Sequence, residues 1–198
     1  MQHETTAIVS RRASALRMRR NRRPAVAREM QRGASLLEAI AYLGIAAIVV
    51  IGAVALMNGA FNSASTNELA EQVNAIQSGV KKLYMGQTNG YTGIDNGVLA
   101  SAGVFPSTIP ASTSGTATNA WGGTVTVAAG AATGGTAGTF TIVYTAVPQA
   151  VCINALTAGG SWVSVGTDVN TESTVPVPPS TATTDCANSS NTITWTSS

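Results

Sequence analysis

From Ala39 to Met57 the chain runs nineteen residues without a charge, AIAYLGIAAIVVIGAVALM. As a helix rising about 1.5 Å per residue, such a run nearly crosses a bilayer core of roughly 30 Å. It exceeds the ~7–15 apolar residues of a signal-peptide core, so a membrane anchor fits it better. Gly44 and Gly52 fall inside it and Gly59 just beyond. Each costs about 1 kcal/mol of helix propensity against Ala, but small residues let helices pack closely.

Charge separates the chain at the same place. Residues 1–33 hold nine Arg against Glu4 and Glu29, a net +7. The other 165 residues hold Lys81 and Lys82 against seven acids, a net −5. A basic tail before an apolar segment is held cytoplasmic by the positive-inside rule, and reads as the n-region of an export signal. A disordered tail and a DNA-binding arm are the competing readings, though no aromatic residue interleaves with the Arg. The Arg pairs 11–12, 19–20 and 22–23 do not directly precede the apolar run, and Met18 offers an alternative start.

The only His is His3, and no Arg follows Arg32. A Ser-His-Asp triad and an imidazole-based zinc site therefore have no His in the body of the chain, and an Arg-rich nucleic-acid face is absent there. The composition points away from an enzyme, and it implies no cofactor and no metal. Asp95, Asp168, Glu172 and Asp185 do not follow an EF-hand spacing. Cys152 and Cys186 match no zinc pattern, which leaves one disulfide formed in an oxidising compartment.

Beyond Met57, Leu69, Val73, Ile76, Val80 and Leu83 recur every three or four residues. They form one apolar stripe, with Glu68, Glu71, Gln72, Gln77 and Lys81 assigned to other faces. The reading is one helix over 34–84, apolar all round at 34–57 and amphipathic at 58–84, ending near a Gly86 cap. Residues 85–198 form the head. Residues 86–123 read mostly as loop, and 128–138 as a flexible hairpin-type connection. Alternation predicts strands at 124–127, 139–145, 161–165 and 192–196, and Pro148 opens a short helix carrying Cys152. The expected fold class is α+β: a long N-terminal α-helix packed against an antiparallel β-sheet head. Trp121, Trp162 and Trp195 are read as core or subunit contacts.

The string Arg32-Gly33-Ala34-Ser35-Leu36-Leu37-Glu38, followed by an apolar helix, resembles the class III signal of type IV prepilins. The resemblance implies that a prepilin peptidase cuts after Gly33 and methylates the new N-terminus, Ala34. It assigns Glu38 to subunit docking, where it neutralises the Ala34 amine of a neighbouring copy. The long leader, a first mature residue other than Phe, and the lack of Pro between Pro24 and Pro106 resemble the type IVb class of thin, bundle-forming or conjugative pili. In that family a C-terminal Cys pair bounds a variable region, which here is 152–186. The Asn119-Ala120-Trp121-Gly122-Gly123 string looks like a segment that precedes the sheet in type IVb pilins.

The implied function is a major pilin. Its precursor sits in the inner membrane of a Gram-negative cell with leader cytoplasmic and head periplasmic. Its partners are the prepilin peptidase and copies of itself in an extracellular helical filament, with no nucleic acid for the mature chain. The heads would mediate adhesion, aggregation or mating contact. A minor pilin or pseudopilin of a secretion or DNA-uptake system shares these N-terminal features. A membrane-anchored periplasmic binding protein is the third reading, and it gives Glu38 no task.

Overall fold

The computed structural model describes residues 35–198. The chain divides into two compact units, one ending at Ala46 and the other covering Ala47–Ser198. Helix α1, Leu36–Tyr84, contributes to both.

In the first unit the Ser35 Oγ accepts the Glu38 backbone N–H at 3.2 Å, and the Ser35 carbonyl accepts Ala39 N–H at 3.0 Å. This is one half of a capping box, and it satisfies a donor that the first helical turn leaves without a partner.

The second unit holds the remaining elements. They are α2 (Asn96–Ser101), β1 (Val125–Ala129), β2 (Ala132–Thr133), β3 (Thr136–Ala137), β4 (Phe140–Pro148), α3 (Gln149–Ala158), β5 (Ser164–Thr167), β6 (Thr171–Glu172), α4 (Pro179–Asp185) and β7 (Ser190–Ser197). Five strands form one antiparallel sheet in the order β1-β4-β7-β5-β6, and β2 pairs with β3. The α+β class read from the sequence is therefore the observed one.

Alternation sorts the sheet's faces, because successive side chains in a strand point to opposite sides. Val125, Val127, Phe140, Ile142, Tyr144, Ile193 and Trp195 are all buried, in the same core as Leu69, Val73, Ile76 and Val80 of α1. Register aligns them: Tyr144 faces Val125 on one side and Ile193 on the other, and Ile142 faces Trp195. Burying each such side chain contributes about 1.5–3 kcal/mol. Tyr144 and Trp195 also meet edge to face, with ring centroids 5.7 Å apart.

The apolar stripe differs from its reading at three positions. Leu83 is 38% exposed, while Gln72 and Gln77 are buried. Both Gln lie three or eight residues after Leu69, within the width of a globular helix's inward face. They are buried because the sheet and the loops beside α1 present polar atoms that pair with them. Gln77 Nε2 donates to Ser197 Oγ at 2.9 Å and to the Ser161 carbonyl at 3.0 Å. Gln72 Nε2 donates to Thr108 Oγ1 and to Glu68 Oε1, both at 3.0 Å, and Gln72 Oε1 accepts from the Tyr144 hydroxyl at 3.4 Å. Burial, with help from Glu68, raises the Tyr144 pKa above its ordinary value.

Three stretches carry more structure than expected. Residues 86–123 contain α2, whose N-cap Asp95 accepts Val98 N–H at 2.9 Å, and bridges at Ala111–Ala117 and Thr118–Thr124. The 128–138 connection contains the β2–β3 hairpin, turned by Gly134 and Gly135 at φ of 62° and 85°. The 161–165 strand is shifted to Ser164–Thr167, and α4 follows it. Pro148 is the last residue of β4 and the N-cap of α3, one position earlier than the first helical site.

Candidate functional site

Every residue from Ser35 to Phe61 is exposed. Leu36, Leu43, Ile48, Ile51 and Leu56 are 81%, 70%, 72%, 69% and 79% exposed. This part of α1 is long and apolar enough to cross a membrane. Apolar surface on this scale is not left in water by a soluble monomer, so it marks contact with lipid or with other protein. Glu38 lies in its first turn and is exposed. Gly33 and Ala34, expected to flank a cleavage site, lie outside the described residues, as does the basic leader.

The two cysteines expected to pair do so. Cys152 in α3 and Cys186 at the end of α4 are bonded and fully buried. The bond joins two helices that also pack against each other, and the segment it closes contains β5 and β6.

The residues that position the head, and that sequence reading missed, are three buried Asn. Asn96 sits on α2, yet its Nδ2 donates to the Val125 carbonyl at 2.7 Å and its Oδ1 accepts Val127 N–H at 2.8 Å. One side chain thus occupies the outer edge of β1, which would otherwise be open to another chain. Asn191 Nδ2 donates to the Asn188 carbonyl at 2.7 Å and fixes the approach to β7. Asn119 gives the Asn119–Gly123 string its physical meaning. Its Oδ1 accepts Trp121 N–H at 3.1 Å and Gly123 N–H at 2.9 Å, and its Nδ2 donates to the Thr145 carbonyl at 2.7 Å. Thr145 and Ala146 form the irregularity between Tyr144 and Val147 in β4, and Ala146 has φ of 59°. A Cβ on Gly123 would collide with the Thr145 carbonyl oxygen. The only hint in the sequence was the Asn-x-x-Gly-Gly pattern itself.

Asn119→Ala is expected to strand the buried Gly123 N–H and to cost about 1–3 kcal/mol. The urea midpoint of the detergent-solubilised chain measures it, and an unchanged midpoint would refute the role given to Asn119.

Of the head acids, Asp185 is buried with its Oδ2 unpartnered among the described residues, and Asp95, Asp168 and Glu172 each accept one hydrogen bond. Asp168 Oδ2 accepts Thr192 N–H at 2.7 Å, and Glu172 Oε1 accepts from Asn170 at 2.8 Å. Among the described residues no cluster of three or more metal-ligating side chains occurs. Trp195 is buried, while Trp121 and Trp162 are partly buried against the core.

Comparison with known proteins adds to this geometry. The family model described as PilS N terminal matches residues 63–198. The chain is 27% identical over 150 residues to the "Major structural subunit of bundle-forming pilus" of Escherichia coli O111:H-, covering 75% of this chain and 76% of that one. The protein of the same name from Escherichia coli O127:H6 matches equally, at 27% over 150 residues. A solved structure of a type IV b pilin from Salmonella typhi is similar at a TM-score of 0.49 and 24% identity, over 64% of this chain and 97% of that one. The family match spans the amphipathic half of α1 and the whole stapled head, well over half of the sequence, and on that ground the chain belongs to the PilS family.

Proposed function

We propose that this chain is the major structural subunit of a type IVb-like pilus. The observation that carries the reading is a single helix with two environments. Its first half is apolar and wholly exposed, and its second half buries one face in the core of a β-sheet head. Such an element needs lipid before assembly and other helices afterwards. The relatives named as pilus major subunits support the same reading.

The sequence of events follows from charge. The leader holds the N-terminus cytoplasmic while the apolar helix rests in the inner membrane. A prepilin peptidase cuts after Gly33, which removes a net +7 that an apolar bundle has no means to neutralise. The new Ala34 amine is methylated and pairs with Glu38 of a neighbouring copy, fixing the register of packed helices. Apolar burial at about 25 cal/mol per Å² supplies most of the cohesion. The heads face outward in the extracellular filament and make contacts for adhesion, aggregation or mating. The role is structural rather than catalytic.

The mature N-terminus tests this. Intact mass and tandem sequencing of the sheared-surface fraction should find N-methylated Ala34 as the first residue. A chain that begins at Met1 or Met18 in cells with an active peptidase would overturn the processing scheme.

A further inference from the structure

Two patches on the head complement each other but cannot meet within one copy. The first is a groove of about 480 Å³ between α1 and the segment after α2, lined by Gly79, Lys82, Leu83, Ala102 and Val104. Gly79 lets Val104 close on the helix, since a Cβ there would lie 2.7 Å from Val104 Cγ1. Leu83 is the stripe residue that the head leaves exposed. Lys81 and Lys82, both exposed, are the only cationic side chains after residue 33.

The second patch is the β5–β6 turn. Val169 stands 53% exposed at its tip, between Asp168 and Glu172. The turn belongs to the β6 edge of the sheet. The groove belongs to the other edge, because Asn96 ties α2 to the outer side of β1. One edge therefore carries an apolar knob beside carboxylates, and the opposite edge carries an apolar groove lined on one side by Lys82.

We propose that the β5–β6 turn of one copy seats Val169 in the groove beside Lys82 of a second copy, with Glu172 facing Lys82. This rests on the pilus reading and adds to it a named contact between heads. The charges set partner and register, while the knob and groove supply the buried area. Two different patches make a head-to-tail contact, which leaves a free knob and a free groove on every assembly and so propagates into an open helix.

The test uses the full chain in piliated cells. Filaments of an Ala102→Cys/Val169→Cys double variant are treated with a short bismaleimide. A ladder of covalent multiples is expected from the double variant and only monomer from each single variant. Lys82→Glu and Glu172→Lys should each cut the yield of sheared filament several-fold, and combining them should restore it. Intact filaments that give only monomer, a cross-link from position 102 to some other protein, or charge variants that assemble like the unsubstituted chain would each overturn the contact while leaving the pilus reading in place. Absence of filaments from the unsubstituted chain would overturn the pilus reading, and this contact with it.

Discussion

Replacing Cys152 and Cys186 together with Ala is expected to remove roughly 4 kcal/mol of stability. The two residues are 34 apart in sequence, and closing a loop of that length restricts the unfolded chain by about this much in the chain-entropy model. The whole stability of a domain is only about 5–15 kcal/mol, so the loss is a large fraction. Both sulfurs lie in the core, and the segment they close supplies β5 and β6. The pair therefore holds one edge of the sheet to the rest of the head. With a urea slope of about 1–3 kcal/mol per M, the midpoint should fall by on the order of 2 M. Reduction of the unsubstituted chain should reproduce that shift. A fall below about 0.5 M in both experiments would mean that packing of α3 on α4, rather than the covalent link, holds this edge.

Glu38→Ala is expected to leave leader cleavage intact and to reduce sheared filament by on the order of 100-fold. Removing one partner from a buried ion pair costs about 3–5 kcal/mol, because the other charge is left uncompensated. The structure also offers Glu38 a local task, since it occupies the third helical position of α1 opposite the Ser35 cap. A carboxylate there favours the helix N-terminus by only about 0.3–1 kcal/mol. Glu38→Gln separates the two roles. Gln still suits the capping position but carries no charge, so docking requires it to assemble as poorly as Ala. Normal piliation of the Gln variant would sink the docking role and leave Glu38 as a cap.

Where apolar periodicity was strong, the sequence was enough to read the fold. Leu69, Val73, Ile76 and Val80 face the sheet, and Phe140, Ile142, Tyr144, Ile193 and Trp195 alternate into the same core. The disulfide was legible because the only two cysteines had no other chemistry available. What could not be read was polar. Gln72 and Gln77 look like solvent residues, and only the positions of Thr108 and Ser197 in three dimensions make them core residues. Asn96 and Asn119 sit in stretches whose composition reads as loop. Asn96 acts on Val125 and Val127, 29 and 31 positions away, and Asn119 acts on Thr145, 26 positions away. No local pattern encodes a partner at that range. The β2–β3 hairpin has two residues per strand, too few for alternation to register. For the exposed half of α1, periodicity said nothing because the run is apolar on every side. Its length and the lone Glu38 were the informative features.

Strand β7 follows every other described element in chain order, yet it lies between β4 and β5 in the middle of the sheet. A chain emerging N-terminus first presents Leu69 and its neighbours well before residues 190–197 arrive to complete their cover. At a synthesis rate of about 5–20 residues per second, that delay is on the order of ten seconds. The β1–β4 pair can form in that interval and α3 follows β4 directly, but Cys186 emerges only just ahead of β7, so the disulfide closes as the central strand arrives. The half-built head is then a sticky intermediate. On the pilus reading proposed above, a subunit tethered by its first helix completes its head at the membrane, at low risk of meeting another unfinished copy.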